Sequence, residues 1–297
     1  MEICSIIVTY NPDFNKILGL VNSLNASGVN SVIIVDNNSN NFESIKVGLR
    51  DFNFLDFICL NENFGIAFAQ NLGIKHAVSL NKKYVIFFDQ DSSIENNFIN
   101  YLYTDFLNIN DSQVSAIGPR FIDEKQNFYF PALRFNKYGL IDKIDVSNIE
   151  EPFEVSFLIS SGTLVSINAL QEIGLMKEEF FIDFVDTEWC FRALSKGYKL
   201  YMSKNAVMKH SIGDDTIKFL NFNIPVHSGF RRYYRIRNLF FMWKMPYIPK
   251  ILVLKLMITN FIIQILLLLF NNKKLDYVKF YFKAIKDGIL QSKDYQI

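Results

Sequence analysis

The sequence lacks the cysteine arrangements of zinc sites and of disulfide-linked secreted proteins. Its three cysteines, Cys4, Cys59 and Cys190, lie in apolar or mixed segments and have no metal-like spacing. Cysteines in this setting are typical of the reduced core of a cytosolic protein. The N-terminus has neither a basic segment nor a long apolar run, so we expect no signal peptide.

A glycine-rich dinucleotide motif is also missing. The first predicted strand runs into Thr9-Tyr10-Asn11-Pro12 instead of G-x-G-x-x-G, which argues against a dehydrogenase. There is no internal repeat and no low-complexity segment. A chain of 297 residues with a hydrophobic fraction of 50% predicts one large α/β domain, or one domain with an appendage, around a sizeable core.

The net charge of +1 hides two regions of opposite sign. From Gly229 onward the chain has 13 lysines and arginines against three acidic residues, a balance of +10, whereas residues 1–228 have 18 against 27, a balance of −9. A basic, apolar C-terminal region favours an anionic membrane surface over nucleic acid. The acidic main region likewise argues against a nuclease or a polymerase, which would need basic contacts there.

An apolar stretch at residues 251–270 is interrupted by Lys255, Asn260 and Gln264. Twenty residues can span a bilayer, but the charge and the two amides, with lysines and aromatic residues on either side, favour a helix lying in the interface. A plain hydrophobic subdomain is the third interpretation. We predict peripheral attachment to the cytoplasmic face of the membrane, with residues 247–270 as the anchor.

Alternating strand and helix patterns predict a mostly parallel sheet flanked by helices. Apolar runs at residues 4–9, 32–35, 57–60 and 84–88 are separated by segments with helical spacing. Continuous apolar runs are typical of parallel strands that are buried on both faces. We assign residues 1–228 to one α/β domain and residues 229–297 to a helical region for membrane association or oligomerisation.

Two carboxylates directly follow the fourth predicted strand, in Asp89-Gln90-Asp91. In open α/β sheets ligands bind beyond the carboxyl ends of the strands, so we expect Asp89 and Asp91 beside a substrate. Hard oxygen donors one residue apart suit Mg²⁺ or Mn²⁺, which take further ligands from a substrate diphosphate. For this short motif alone, a solvated turn is the alternative.

Other acidic and histidine side chains fall at predicted strand or helix ends, namely Asp36, Asp186, Glu188 and His210. Singly, each has a structural explanation, because Asp36 can begin a turn and Asp186 can cap a helix. In an α/β sheet they can also converge on one crevice.

A series of short motifs runs from Ser5 to about Asn238. They are Ile6-Ile7-Val8-Thr9-Tyr10-Asn11, Val32-Ile33-Ile34-Val35-Asp36-Asn37, Asn63-Phe64-Gly65 followed by Ala69 and Asn71, Phe88-Asp89-Gln90-Asp91, Ser161-Gly162, the segment 186–192, Lys209-His210-Ser211-Ile212-Gly213 and Tyr234-Arg235-Ile236-Arg237-Asn238. In this order they resemble the GT-A glycosyltransferases of family 2, and within them the rhamnosyltransferase-like branch.

The resemblance implies a GT-A fold and a nucleotide-sugar site. The residues that it assigns to donor binding are Thr9, Tyr10, Asn11, Asp36, Asn63, Gly65, Asn71, Asp89 and Gln90, with Asp36 accepting the N3–H of uracil or thymine. It assigns Mg²⁺ or Mn²⁺ to Asp89, Asp91 and His210.

The resemblance also places the catalytic base at Asp186. Val185 stands where the family usually has glutamate, and the next acid is Glu188. Residues two apart on a helix do not share a face, so only one of Asp186 and Glu188 can reach the acceptor. We favour Asp186, from its place at the helix start, and keep Glu188 as the alternative.

We therefore expect an inverting, metal-dependent transfer of L-rhamnose from dTDP-L-rhamnose to a lipid-linked or cell-surface polysaccharide. A UDP-hexose donor is the alternative within the family. A nucleotide-binding or membrane scaffold protein without catalysis is the alternative outside it, and the joint presence of Asp89, Asp91, Asp186 and His210 argues against it. The expected partners are the nucleotide sugar, the glycan acceptor and the membrane, without nucleic acid, and a homo-oligomer stays open.

Overall fold

The first 89 residues form four parallel strands joined by helices. A computed structural model describes residues 2–123, 128–136, 138–209, 216–219, 222–225, 227–270 and 274–293. The strands are β1 (Ile3–Thr9), β2 (Val32–Asp36), β3 (Leu55–Cys59) and β4 (Tyr84–Asp89), and the helices are α1 (Phe14–Ala26), α2 (Phe42–Gly48) and α3 (Ile66–Ser79). The strand order is β3-β2-β1-β4, all parallel, which confirms the predicted sheet.

The second half of the sheet mixes strand directions. After α4 (Phe98–Asn108) come β5 (Val114–Asp123), β6 (Phe128–Tyr129), β7 (Ala132–Phe135), β8 (Ile141–Ile144), β9 (Phe153–Val155), β10 (Leu164–Ser166) and β11 (Lys199–Lys209). The sheet continues from β4 as β10-β5-β11-β9, with β10 antiparallel to both of its neighbours. β7 pairs with β8, and β12 (Thr216–Phe219) pairs with β13 (Phe222–Pro225). The later helices are α5 (Ile167–Ile173), a 3₁₀ turn at Glu178–Phe180 and α6 (Val185–Ser195).

Apolar cores cover both faces of the sheet because alternate strand residues point to opposite sides. On one face Ile7 and Ile86 pack with apolar residues of α1 and α4, including the fully buried Phe98. On the other face Ile6 and Phe87 pack with residues of α3, α5 and α6. Each fully buried side chain of this size contributes about 1.5–3 kcal/mol, so the strand positions beneath the crevice are rigidly held.

Three helices end the chain: α7 (Gly229–Lys244), α8 (Lys250–Phe270) and α9 (Lys274–Gln291), and each contacts the other two. The predicted boundary after residue 228 precedes α7, yet the apolar core is continuous across it. Leu239 and Phe241 of α7 and Val253 of α8 belong to the same cluster as Phe87.

The two amides of α8 face inward. Arg232 of α7 donates from Nε to Oε1 of Gln264 at 3.2 Å and from Nη2 to the carbonyl of Asn260 at 3.0 Å. Gln264 donates to the carbonyl of Tyr277 in α9 at 2.9 Å. The outward face of α8 therefore carries a row of exposed apolar side chains, with Lys255 exposed beside it. In the described part of the chain, α8 is the helix long and apolar enough to cross a membrane, judged by length and composition.

Candidate active site

The crevice lies beyond the carboxyl ends of β1, β2 and β4. Thr9 is the register partner of Asp36, and Val8 is the partner of Asp89, so these strand ends meet at one edge of the sheet. Asp186 reaches the same crevice from the start of α6, close enough to Asp89 for that charge to raise the pKa of Asp186. The sequence-based expectation that these acids converge agrees with this geometry.

Asp36 is held by three protein donors at the end of β2. The Thr9 hydroxyl donates to Oδ1 at 2.7 Å, and Ser39 donates its backbone N–H to Oδ2 at 2.7 Å and its hydroxyl to Oδ1 at 2.5 Å. A carboxylate offers about four acceptor positions. One acceptor position on Oδ2 is left for a further donor, which the expected contact with the N3–H of uracil or thymine requires. The residue is only 1% exposed.

The Thr9-Tyr10-Asn11 turn is fixed by its neighbours. The Tyr10 backbone N–H donates to Oε1 of Gln90 at 2.8 Å, and Asn11 accepts from the Asn40 N–H at 2.9 Å. Asn11 has φ of 49°, a left-handed conformation that asparagine tolerates. The Tyr10 ring is 51% exposed beside the crevice, where a flat ligand could stack on it.

Gly65 ends the Asn63-Phe64-Gly65 turn and has φ of 88°. Its N–H donates to Oδ1 of Asn63 at 3.0 Å. A Cβ at Gly65 would stand 2.5 Å from the carbonyl oxygen of Phe181, so only glycine fits this close approach. The turn thus brings the N-terminus of α3 against the segment that precedes Asp186.

Asn71, expected at the donor, has structural contacts instead. Its side chain is buried, donates to the carbonyl of Met176 at 2.8 Å and to Glu178 at 2.9 Å, and accepts from the Met176 N–H at 2.9 Å. With its polar atoms bonded in this way, it holds the loop after α5. We therefore withdraw Asn71 from the donor-binding set.

Asp89 and Asp91 lie at the end of β4, where both residues keep exposed surface although the crevice walls surround the Asp89 carboxylate. Desolvation by the crevice walls, and then repulsion from Asp91, raises the pKa of Asp89 to about 6. Lys16 Nζ lies 4.0 Å from Oδ2 of Asp91, an exposed and weak contact. Ser161 holds the turn, since its hydroxyl accepts from the Asp89 N–H at 3.2 Å and lies 2.9 Å from that of Ser92.

The two carboxylates suit Mg²⁺ or Mn²⁺ because both oxygen sets are open to a hard cation that keeps waters and takes phosphate oxygens. Within the described ranges there is no group of three or more His, Cys, Asp or Glu side chains arranged for a metal. A metal here would need its remaining ligands from elsewhere. His210, the expected third ligand, lies outside the described residues, as does the rest of that motif through Gly213.

Asp186 lies in the first turn of α6 with a carboxylate suited to accept a proton. Burial raises the pKa of Asp186 to about 6, and Asp183 and Asp89 add repulsion. The Thr187 N–H donates to its Oδ1 at 2.8 Å and partly opposes that rise. Behind the carboxylate is a small apolar cavity, lined in part by Phe87, Leu158, Met176, Trp189 and Cys190. A pKa close to neutral is what general-base catalysis favours.

Glu188 is occupied in a buried network. It is 0% exposed, and its two oxygens pair with Nε and Nη2 of Arg192 at 2.8 and 2.9 Å. Arg192 also donates to the carbonyls of Ile173 and Leu175. These contacts give Glu188 a structural role, so the alternative base is withdrawn and Asp186 is kept.

Sequence reasoning missed Asp183, which lies just before α6. Arg231 and Arg235 of α7 both reach its Oδ1, at 3.3 and 3.2 Å. The Tyr234–Asn238 motif lies in α7, and the resemblance assigns it no role. Its spacing could have indicated a helix face directed at the active site, but the partner loop cannot be read from the sequence.

The chain matches known glycosyltransferases by sequence. Residues 4–174 match the family model described as Glycosyl transferase family 2. The chain is 39% identical over 288 residues to the dTDP-rhamnosyl transferase RfbF of Shigella flexneri, covering 97% of this chain and 95% of that protein. It is 23% identical over 222 residues to the low-salt glycan biosynthesis hexosyltransferase Agl10 of Haloferax volcanii, covering 72% of this chain and 67% of that protein.

Solved structures share the fold at low identity. S. aureus TarS 1–349 in complex with UDP-GlcNAc superposes with a TM-score of 0.58 at 15% identity, covering 98% of this chain and 81% of that one. GalNAc-T7 with UDP, GalNAc and Mn²⁺ gives 0.59 at 14% identity, covering 82% of this chain and 48% of that one. These matches agree with the expected GT-A architecture. On the family match and the near full-length similarity, the chain belongs to glycosyl transferase family 2 and is a glycosyltransferase.

Proposed function

We propose that the protein transfers L-rhamnose from dTDP-L-rhamnose to a hydroxyl of a glycan, with inversion at the anomeric carbon. The observation that carries the proposal is the partly buried Asp186, whose pKa is raised to about 6, in one crevice with the Asp89 and Asp91 carboxylates. The choice of donor is supported by the 39% identity to a dTDP-rhamnosyl transferase over nearly the whole chain.

The nucleotide would lie over the ends of β1 and β2. The exposed Tyr10 ring offers a stacking surface for the base, and the open position on Asp36 Oδ2 suits the N3–H of thymine. Gln90 keeps the Tyr10 backbone in place through their 2.8 Å hydrogen bond. Uracil presents the same N3–H, so this contact accepts both pyrimidines.

Asp89 and Asp91 would hold Mg²⁺ or Mn²⁺ on the diphosphate, with His210 as the expected third ligand. When bound, the ion acts as a Lewis acid that stabilises negative charge on the departing nucleotide. A GalNAc-T7 structure that shares the fold contains Mn²⁺.

Asp186 would remove the proton from the acceptor hydroxyl. The freed oxygen attacks the anomeric carbon from the face opposite the diphosphate, and the bond from that carbon to the diphosphate oxygen breaks with its electron pair going to the diphosphate. One bond forms as one breaks, so the configuration inverts. The proton ends on Asp186 and leaves to solvent after the product departs.

The donor assignment is tested by transfer assays with dTDP-L-rhamnose and a panel of UDP-hexoses, each with Mn²⁺. We expect turnover with dTDP-L-rhamnose that Asp186→Asn removes and that Asp51→Asn, at a 90% exposed surface carboxylate, leaves intact. Preferred turnover with a UDP-hexose would establish the alternative donor. Nucleotide binding without any transfer from either donor would support the non-catalytic alternative.

The acceptor is proposed to be lipid-linked because the C-terminal helices suit a membrane surface. The outward face of α8 carries a continuous apolar row, which consists of Ile251, Leu254, Ile258, Phe261, Ile262, Ile265 and Leu269, all at least 43% exposed. The exposed Lys250 and Lys255 of α8 and Lys279, Lys283 and Lys286 of α9 supply positive charge. Each lysine near an anionic surface contributes about 1 kcal/mol.

The packing favours an interfacial helix over a spanning one. In the protein interior Arg232 of α7 donates to the Gln264 side chain and to the Asn260 backbone carbonyl of α8, and residues of α7 belong to the same apolar cluster as Phe87. A spanning α8 would have to break these contacts or carry the buried arginine into the bilayer. A helix lying flat would keep them and would hold the enzyme on the cytoplasmic leaflet, where a lipid-linked sugar acceptor would be found.

A further inference from the structure

The loop that joins the 3₁₀ turn at Glu178–Phe180 to α6 has an unusual backbone. Phe181, Asp183 and Phe184 have φ of 62°, 65° and 63°, a region that residues with side chains seldom adopt. Such conformations persist where surrounding contacts fix them, and they cluster at functional sites. This loop leads directly into the first turn of α6, which carries Asp186.

One side chain of α7 fixes this backbone. Asn238 is 0% exposed, and its Nδ2 donates to the carbonyls of Phe180, Ile182 and Asp183 at 2.9, 2.9 and 3.0 Å. Its Oδ1 accepts from Arg237 Nε at 3.2 Å and Nη2 at 2.9 Å, so the amide cannot turn round without losing these bonds. The side chain thus gathers three carbonyls that the left-handed residues direct toward one point.

The same loop contacts the donor side of the crevice. The Phe181 carbonyl accepts from the Ile66 N–H at 2.7 Å, next to Gly65, and the Phe181 ring stacks on Tyr234 of α7 with centroids 4.3 Å apart. The loop is therefore clamped between α7 and the N-terminus of α3. The chain continues from this loop directly into α6. The backbone geometry of the loop therefore determines where the Asp186 carboxylate lies relative to a bound donor.

We propose that Asn238 is a positioning residue for the transfer reaction, which holds Asp186 where it can accept the proton of the acceptor hydroxyl, through the backbone of residues 180–184. It touches neither donor nor acceptor in this role. The inference rests on the proposed function, because it presumes that Asp186 is the base. A displacement of about 1 Å in a catalytic group can lower the rate by about 100-fold, which is the size of effect expected.

The test compares Asn238→Ala with Asn260→Ala, which removes a buried amide of the same helical region that bonds the carbonyl of Leu256 and does not touch the loop. Asn238→Ser, which retains a hydroxyl donor, is made in parallel in case the alanine variant fails to fold. Three quantities are measured per folded protein: kcat for transfer, affinity for dTDP and the pH dependence of kcat.

We expect the affinity of Asn238→Ala for dTDP to stay within about threefold of that of the unchanged protein, while its kcat falls about 100-fold. The acidic limb of the kcat–pH profile, expected near pH 6 in the unchanged protein, should move. Asn238→Ser should recover part of kcat, and Asn260→Ala should change thermal stability alone. An unchanged kcat per folded protein and an unchanged limb in either Asn238 variant would overturn the inference, as would equal losses of dTDP affinity and kcat. If Asp186→Asn itself transfers sugar normally, the proposed function fails instead.

Discussion

The phenol of Tyr247 donates a 2.6 Å hydrogen bond to Oε1 of Glu188. Tyr247 lies between α7 and α8, and Glu188 lies one turn inside α6, so the contact joins the C-terminal helices to the helix of the catalytic carboxylate. Burial, followed by the Glu188 charge, raises the pKa of Tyr247 well above its ordinary range. The phenol is therefore protonated at neutral pH and donates to Glu188.

Glu188→Gln should lower stability and spare the chemistry. The change leaves the Arg192 charge buried without its counter-ion, and breaking a buried pair in this way costs about 3–5 kcal/mol of the free energy of unfolding. Denaturant unfolding measures the loss, with the exposed Glu43→Gln as the control. If Glu188→Gln instead abolishes transfer in fully folded protein, Glu188 has a catalytic role that its contacts do not suggest.

The pH dependence of stability should show that Asp186 has a raised pKa in the folded protein. Its folded-state pKa of about 6 lies above the ordinary 3.8, so the folded state binds the extra proton and loses stability as pH rises from about 4 through 6. Above pH 6 that penalty is fully present, about 1–3 kcal/mol. Asp186→Asn should therefore unfold at a higher temperature than the unchanged protein at pH 7.5 and at the same temperature at pH 4.

Thermal unfolding of both proteins across this pH range checks the prediction, with Asp51→Asn run alongside. A gain in stability for Asp186→Asn that does not depend on pH would show that packing, not ionisation, is responsible. The rate of transfer should follow the opposite trend and rise with pH through about 6, because the base must be deprotonated.

Removal of the metal should abolish transfer. Asp91→Asn removes a charged ligand from an exposed position at the strand end, so turnover should fall by orders of magnitude while the fold is kept. Asp51→Asn should retain activity. Full turnover in EDTA, with metal removal verified by elemental analysis, would contradict metal dependence.

Membrane binding should depend on the outward face of α8. Ile258→Glu places a charge in the middle of the apolar row and should abolish sedimentation with anionic liposomes, whereas Val47→Glu, at a 59% exposed position on α2, should not. Binding should weaken with salt, because the lysine contribution is screened. Resistance to salt and to carbonate extraction would indicate a spanning helix, and a soluble dimer that Ile258→Glu dissociates would assign the face to a second copy of the chain.

The sequence was most informative where a local pattern dictates the structure. The apolar run before Asp89 indicates a buried strand, and the neighbouring runs predict Thr9 and Asp36 at the same edge. Those positions follow from strand alternation and topology, without knowledge of distant partners.

Predictions failed where a side chain's role depends on residues far along the chain. Asn71 resembles a donor contact in the motif, but its partner Met176 lies 105 positions away. The amides at Asn260 and Gln264 interrupt the apolar stretch in sequence, yet in the structure both side chains are buried, and Gln264 accepts from Arg232, so the outward face keeps its apolar row. Asp183 was missed because a left-handed backbone at a residue other than glycine has no sequence signature.

The core that α7 and α8 share with the sheet determines when the protein can complete its folding during synthesis. Leu239, Phe241 and Val253 belong to the same apolar cluster as Phe87 and Trp189, so this cluster, which α3, α5 and α6 already cover in part, stays incomplete until the ribosome has passed residue 253. At about 5–20 residues per second, that wait after β4 lasts on the order of ten seconds. During it the nascent chain exposes the unfilled part of this apolar cluster to chaperones and to neighbouring chains. Stop codons and frameshifts late in the gene should therefore produce chains that aggregate, not truncated soluble enzymes.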